Sequence, residues 1–289
     1  MITRLIQAAL HPEPYRVRLL RPLLRRMTGL PFELRLQFDL LERPHYAYCV
    51  WHAARLAKRL EIPAITVIEM GVAGGNGLLC LERHAEEVEK VTGVEIKILG
   101  FDTGKGMPEP SDYRDCPQIW QAGFYKMDAG ALVSRLRGDT KLWLGDVAEQ
   151  VVAFAKSEQT APVGAVMFDM DFYSATMESF KLFDSRLLKH EKVLPRIMCY
   201  FDDIVHGDPI AGVSDDVGQR KAIEDYNASC GMTASLGQNS RKRISPDRSL
   251  LMPRKVRARW NSQIFIHHDF AHPRYGDFVG TENDQRRLP

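Results

Sequence analysis

Residues 67–77 read VIEMGVAGGNG: an apolar run that contains one acid, Glu69, is followed by a glycine-rich turn that begins at Gly71. A helical stretch from Leu78 to Val88 follows at once. The glycines let the backbone approach a ligand closely, and the start of the helix favours a negative group such as a phosphate or a carboxylate. From Gly71 the glycines follow at +3, +4 and +6, so the dinucleotide spacing G-x-G-x-x-G is not matched. A plain turn without a ligand remains the alternative.

Short apolar runs that end in acidic or glycine residues recur along the chain and alternate with helical stretches. The runs predict strands at Ile65 to Met70, Ile96 to Asp102, Lys141 to Leu144, Val163 to Asp169, Ile197 to Asp202 and Ser262 to His267. Strands that alternate with helices pair in parallel through right-handed crossovers. The sequence therefore predicts a Rossmann-like, doubly wound, mostly parallel α/β sheet with helices on both faces. Ligands of such sheets bind beyond the carboxyl ends of the strands.

The two ends of the chain differ in character from this alternating middle. Residues 1–60 are predicted to form a helical N-terminal extension, punctuated by prolines, whose last piece from Tyr46 to Leu60 has apolar residues at helical spacing. Residues 61–289 are assigned to the main domain. Within it, residues 237–259 are predicted to form a long loop over the site.

Composition excludes several classes of protein. The chain has 289 residues, 45% of them hydrophobic and 26% charged, which is ordinary for a globular protein. No apolar stretch has the length of a membrane-spanning helix, and no signal-like segment develops, so we expect a cytoplasmic protein without integral membrane contact. The five cysteines are odd in number and far apart, which favours reduced thiols over disulfides or a zinc site.

Basic residues are unevenly placed although the net charge is only +2. They cluster between Arg16 and Arg26 and again between Arg241 and Arg259. Such clusters can attract nucleic acid or anionic lipid, but neither carries the interleaved aromatic residues of a single-strand stacking surface. We interpret both as solvated surface and expect no nucleic-acid partner.

Acids at the first two strand ends indicate the kind of ligand. Asp102 ends the second strand about 25 residues after the last glycine, where nucleotide-binding folds place a carboxylate that accepts both ribose hydroxyls. Together with Glu69 and the lack of a phosphate-binding lysine motif, this favours a nucleoside without phosphates, a description that S-adenosylmethionine fits. Asp146, after the third strand, is a candidate partner for the adenine amino group, and a simple loop aspartate is the alternative.

Two acidic pairs follow the next two strands. Asp169 and Asp171 end the fourth strand, and Asp202 and Asp203 end the fifth. Four neighbouring carboxylates would repel one another, so a hard divalent cation such as Mg²⁺ is an economical partner. It would lower the pKa of a bound hydroxyl, and Asp171 is the candidate base. The alternative is that Asp169 or Asp202 only caps the helix that follows it.

Histidines near these acids are weaker candidates. His206 lies three residues beyond the second acidic pair. His267, with His268 and His272, forms a later group of candidate metal or substrate ligands, but no matching acid cluster accompanies it in the sequence. None of them is assigned a role.

Four blocks in this order resemble class I methyltransferases and, within them, the metal-dependent macrocin O-methyltransferase family. Residues 67–77 are similar to its E-x-G-x-x-x-G turn, and FDTGKGMP (101–108) is similar to its D-S-F-x-G-L-P. DMDFYSAT (169–176) matches its D-x-D-x-Y-x-x-T, and the acidic pair at 202–203 matches its D-D. The resemblance covers roughly Pro44 to His206. The family's Ser-Phe is replaced by Thr103-Gly104, and its G-G before the fifth strand is missing.

The resemblance implies a role for each matching residue. It implies an S-adenosylmethionine-dependent, Mg²⁺-dependent O-methyltransferase that acts on a small-molecule hydroxyl acceptor, first of all a saccharide or another diol. Its implied assignments are cofactor contacts at Glu69, Gly71 and Asp102, Mg²⁺ ligands at Asp169, Asp202 and Asp203, and a base at Asp171. Val72 and Gly75 of the glycine turn and Asp146 after the third strand are further predicted cofactor contacts. A homo-oligomer is the default expectation.

Other functions stay open on the sequence alone. A haloacid-dehalogenase-like phosphatase also places D-x-D after an apolar strand, although normally on the first strand of its core, and it would leave the glycine turn without a role. A nicotinamide-dependent oxidoreductase would need a different glycine spacing. A non-enzymatic protein that kept the fold is the third alternative.

Overall fold

The computed structural model describes residues 29–158, 161–204, 209–239 and 259–280. Its strands are β1 Ala64–Met70, β2 Glu95–Asp102, β3 Lys141–Leu144, β4 Val163–Phe168, β5 Val193–Phe201, β6 Ala234–Gln238 and β7 Ile264–Asp269. Its α-helices are α1 Phe32–Gln37, α2 Pro44–Arg59, α3 Asn76–Thr92, α4 Ala129–Val133, α5 Val147–Lys156, α6 Tyr173–Ser179 and α7 Gly218–Cys230. Short 3₁₀ segments lie at Tyr113–Asp115, Phe180–Phe183, His190–Lys192, Pro209–Ala211 and Arg259–Gln263.

The described strands form one sheet in the order β3-β2-β1-β4-β5-β7-β6. Neighbours from β3 to β5 are parallel, whereas β7 runs antiparallel to both β5 and β6. The chain builds outward from β1 to β3 and then resumes at β4 on the other side of β1. This reversal opens a crevice at the carboxyl ends of β1 and β4. The predicted Rossmann-like, doubly wound fold is confirmed.

Two apolar cores lie on opposite faces of the sheet. In β1, Ile65 and Val67 belong to the core that contains α2 and α3, and Ile68 and Met70 belong to the core that contains α5 and α7. Successive side chains of a strand point to opposite faces, and here both faces are covered. That is why β1 is mostly apolar and does not alternate regularly between apolar and polar residues, although Thr66 and Glu69 are buried in it as well.

Helix α2 packs directly against the sheet and forms part of the core; it is not a peripheral helix on the surface. The helix was predicted from Tyr46 to Leu60 and is observed over Pro44–Arg59. It contacts β1, β4 and β5. Its buried residues are Tyr46, Ala47, Cys49, Val50, Trp51, Ala53, Ala54 and Ala57. The domain boundary at residue 60 stays a prediction, and the arginine cluster between Arg16 and Arg26 lies outside the described residues.

The strand predictions differ from the structure mainly towards the C-terminus. β5 begins at Val193, earlier than predicted, because Pro195 falls where the pairing with β4 shifts register and a missing N–H is tolerated. β7 is antiparallel and β6 was not predicted, since Ala234–Gln238 is a polar edge strand without apolar alternation. It overlaps the start of the loop predicted at 237–259, and residues 240–258, with the second basic cluster, lie outside the described residues.

All five cysteines are free thiols, and Cys49, Cys80, Cys116 and Cys199 are buried. This agrees with the expectation of reduced cysteines. None of the described helices combines the length and the apolarity needed to cross a lipid bilayer.

Candidate active site

The turn after β1 requires glycine for two separate reasons. Gly71 has φ +86° and Gly75 has φ +82°, both in the left-handed region that side chains disfavour. A Cβ on Gly71 would lie 1.8 Å from the carbonyl oxygen of Asp169, and one on Gly77 would lie 1.8 Å from Oε1 of Glu69. The turn is therefore pressed against the end of β4 on one side and against a buried carboxyl group on the other.

Asp102 fastens this turn from the end of β2. Its Oδ2 accepts hydrogen bonds from the backbone N–H groups of Val72 and Ala73, both at 2.9 Å, and its Oδ1 accepts one from Gly104 at 2.7 Å. A carboxylate that accepts several N–H bonds is held in one orientation. Asp102 thus sets the shape of the glycine turn while its side chain borders the crevice.

The crevice at the switch point is a cleft of about 310 Å³. The residues that border it come from the glycine turn and from the segments after β2, β3 and β4. Its described lining residues are Gly71, Ala73, Phe101, Asp102, Thr103, Gly106, Met107, Pro108, Tyr125, Gly145, Asp146, Val147, Ala148, Asp169, Met170, Asp171, Phe172, Ser174, Ala175 and Glu178. Five residues assigned from the sequence therefore meet in one cleft: Gly71, Asp102, Asp146, Asp169 and Asp171.

Three residues predicted to contact a cofactor lie behind the cleft wall. Glu69 is buried, its Oε1 accepts a hydrogen bond from the Tyr46 hydroxyl at 2.8 Å, and burial raises the pKa of its carboxyl to about 8. Val72 is buried and presents its N–H to Asp102. Gly75 lies beneath the side chain of Leu132. In this arrangement the three residues support the glycine turn from the side away from the cleft. Direct contacts between them and a cofactor stay a prediction.

Asp146 begins α5 and lines the cleft. Its Oδ1 accepts the N–H of Ala148 at 2.8 Å, which is an N-terminal helix cap. Both interpretations made from the sequence, a loop aspartate and a ligand contact, remain compatible with this position.

The two acidic pairs lie at adjacent strand ends and influence one another. Burial, followed by the charges of Asp202 and Asp171, raises the pKa of Asp169 to about 7. Burial, followed by the charges of Asp171 and Asp169, raises the pKa of Asp203 well above its usual range. Carboxylates that raise one another's pKa in this way are short of positive charge.

Hydrogen-bond donors partly compensate for that shortage. The Tyr46 hydroxyl lies 3.3 Å from Oδ2 of Asp169, the Tyr200 hydroxyl donates to Oδ1 of Asp202, and the N–H of Asp171 donates to Oδ2 of Asp203 at 3.2 Å. Asp171 itself has φ +62°, which is uncommon outside glycine and is often found at functional sites.

The fit to a metal ion can be tested against this geometry. Among the residues that the structure describes, no group of three His, Cys, Asp or Glu side chains is arranged to hold a metal ion. The donor chemistry nevertheless suits a hard divalent cation, because these donors are carboxylate oxygens that repel one another. Asp169, Asp202 and Asp203 share one edge of the sheet without forming a complete coordination shell.

Asp115 is a residue of the site that the sequence did not reveal. It is fully buried, and its carboxylate accepts the N–H of Ser174 at 2.8 Å and the hydroxyl of Ser174 at 2.9 Å. The N–H and hydroxyl of Ser111 donate to the same carboxylate. It thereby ties the segment after β2 to the start of α6. Asp115 ends a single 3₁₀ turn and belongs to none of the strand-end motifs, so no sequence signal could have found it.

The histidine candidates do not join the cleft. His267 is buried against the ring of Phe183 and bonded to the Tyr226 hydroxyl at 2.8 Å, and burial lowers the pKa of its imidazole to about 3. The Nε2 of His272 lies 3.0 Å from the carbonyl oxygen of His190. His206 lies outside the described residues.

Comparison with known proteins gives distant structural likenesses. No protein-family model and no curated protein matches the sequence. The solved structure of CalS11, a calicheamicin methyltransferase, has a TM-score of 0.46 at 20% identity and covers 75% of this chain and 86% of its own. Podospora anserina methyltransferase PaMTH1, bound to SAH, has a TM-score of 0.41 at 12% identity and covers 93% of both chains.

A third likeness is MycE, a methyltransferase from mycinamycin biosynthesis in complex with Mg and SAH. It has a TM-score of 0.39 at 14% identity and covers 75% of this chain and 48% of its own. With TM-scores no higher than 0.46 among these three, function has to be argued from the geometry of the site.

Replacing Gly71 by Ala should lower the free energy of unfolding by about 2 to 4 kcal/mol, since the methyl group meets both backbone strain and the Asp169 carbonyl. Urea unfolding followed by circular dichroism measures the effect. Gly74→Ala in the same turn is the matched control, because no atom lies within 4 Å of its Cβ position and its φ is not positive. Equal stabilities of the two variants would contradict the described turn.

Proposed function

We propose that this chain is an S-adenosylmethionine-dependent O-methyltransferase that methylates a hydroxyl group of a small acceptor, a sugar or another diol. One observation carries the proposal. A single cleft at the switch point joins Asp102, at the end where a nucleoside would bind, to Asp169 and Asp171, where a hydroxyl would react.

The nucleoside end of the cleft combines apolar walls with carboxylates. Phe101, Val147 and Ala148 supply apolar surface for an adenine ring, and Asp102 and Asp146 supply acceptors for hydroxyl and amino groups. A carboxylate beside a vicinal diol can accept from both hydroxyls. This supports the assignment of Asp102 to the ribose and of Asp146 to the adenine amino group.

The charge of the cleft supports a cofactor without phosphates. Its described lining residues include five acids and no Lys, Arg or His. A nucleotide phosphate would be repelled there, whereas the sulfonium cation of S-adenosylmethionine would be attracted. The phosphatase and nicotinamide alternatives both require phosphate binding. The D-x-D motif also follows β4, in the middle of the sheet, and not the first strand that the phosphatase alternative needs.

A divalent cation, Mg²⁺ first of all, is part of the proposal. Asp169, Asp202 and Asp203 would hold it, because their oxygens are hard ligands and because positive charge would relieve their repulsion. When bound, the cation would lower the pKa of the acceptor hydroxyl.

Asp171 is the proposed base of the reaction. The acceptor oxygen attacks the methyl carbon, the bond from that carbon to sulfur breaks, and S-adenosylhomocysteine is the product that leaves. The hydroxyl proton passes to the carboxylate of Asp171, which lines the cleft two residues from Asp169.

Calorimetric titration with S-adenosylmethionine and S-adenosylhomocysteine tests the cofactor. We expect binding of both to the natural chain and clearly weaker binding to Asp102→Ala, which loses the ribose acceptor and loosens the turn. Asp139→Ala removes an exposed carboxylate paired with Arg137 and should bind as the natural chain does. Absence of binding to the natural chain would overturn the proposed function.

Removal of divalent cations tests the metal. Methyl transfer from radiolabelled S-adenosylmethionine to a panel of sugars and catechols should stop in excess chelator and return with added Mg²⁺. Full transfer in chelator would show that the carboxylates act without a cation.

Asp171→Asn tests the base. Asparagine tolerates the left-handed backbone, so the fold should persist, while single-turnover methyl transfer should fall about 100-fold or more. Asp184→Asn, at a partly buried carboxylate paired with Arg186 outside the cleft lining, is the matched control. Undiminished transfer by Asp171→Asn would exclude Asp171 as the base.

A further inference from the structure

Arg43 lies just before α2 in an unusual conformation. Its φ of 40° and ψ of 64° are left-handed, and the next residue is Pro44. A side chain disfavours this region, and a residue before proline is normally extended. Strained positions of this kind concentrate at binding and catalytic sites, so the backbone conformation of Arg43 suggests a role in binding as well as at the start of α2.

The guanidinium of Arg43 lies beside Asp169 but forms no hydrogen bond with it. Its NH1 lies 3.9 Å from Oδ2 of Asp169, which is an ion pair but is too long for a hydrogen bond. The ring of Tyr46 lies 5.1 Å from the guanidinium carbon and supports it from one side. Within the described part of the chain the guanidinium makes no hydrogen bond, and the side chain is 34% exposed. Its N–H donors are therefore open to a ligand.

Charge complementarity indicates what that ligand is. If the nucleoside lies at Asp102, the amino-acid part of the cofactor extends towards Gly71 and Asp169, which are in contact. That part carries an α-carboxylate, and the acids of the cleft would repel it. Arg43 is not one of the lining residues, but its guanidinium lies 3.9 Å from Oδ2 of Asp169, which does line the cleft. It brings positive charge and a planar set of donors next to that end of the cleft, which suits a carboxylate.

We propose that Arg43 binds the α-carboxylate of the amino-acid part of the cofactor through charge-assisted hydrogen bonds. The proposal rests on the proposed function and adds a binding residue from the segment before the main domain. Arg43 would then favour a nucleoside that carries an amino-acid group with a free α-carboxylate over a simple nucleoside.

Two ligands separate this role from a structural one. S-adenosylhomocysteine carries the amino-acid part, and 5′-methylthioadenosine keeps the nucleoside and the sulfur but lacks that part. Calorimetry on Arg43→Met should show binding of S-adenosylhomocysteine weakened about 10- to 100-fold, with binding of 5′-methylthioadenosine unchanged. Arg43→Lys should be intermediate, because it keeps the charge and loses the fork of donors.

Arg55→Met, in α2, is the matched control. Arg55 pairs with Glu33 at 3.6 Å and lies over the ring of Trp51, so its loss should change neither affinity. Equal weakening of both ligands by Arg43→Met would make Arg43 a structural counter-ion of Asp169 and overturn the inference. Unchanged binding of S-adenosylhomocysteine would overturn it as well. If the natural chain binds neither ligand, the proposed function itself fails.

Discussion

The pairing of β1 with β4 is the constraint on which the site depends. The N–H of Asp169 donates to the carbonyl of Met70 at 2.8 Å, so the two strands end side by side. Gly71 continues β1 without a side chain and lets its backbone approach the Asp169 carbonyl. A glycine turn and an acidic motif about a hundred residues apart in the chain thereby become the two sides of one cleft. Any residue larger than glycine at that point would separate them.

Concentrating acids at one edge of the sheet has an electrostatic cost, which the surroundings only partly offset. Burial raises the pKa of Glu69, Asp169 and Asp203, so each is harder to ionise than a carboxyl group in water. The hydroxyls of Tyr46 and Tyr200 offer hydrogen bonds but no charge. A site left short of positive charge in this way is suited to a cationic cofactor and to a divalent ion, which is the physical basis of the proposed function.

Helix α2 links the packing of the core to this chemistry. Its buried face packs against the sheet, and its first turn brings Tyr46 to Glu69 and Asp169. Arg43 precedes the same turn. The position of these side chains follows from the packing of the whole helix, so stability of the core and geometry of the site are linked.

The sequence by itself determined the fold class, the glycine turn and the acids at the ends of β1, β2, β4 and β5, because apolar periodicity and strand-end residues are properties of contiguous segments. Only the tertiary structure decided which side chains contact one another around those acids and the segments that follow them. Asp115 reaches Ser174 across 59 residues, and Tyr46 reaches Asp169 across 123. Each looks unremarkable in its own segment, since a partner that is distant along the chain is defined by packing and leaves no local pattern. The edge strand β6 was not predicted for a related reason. Its pairing with β7, and not its own residues, makes it a strand.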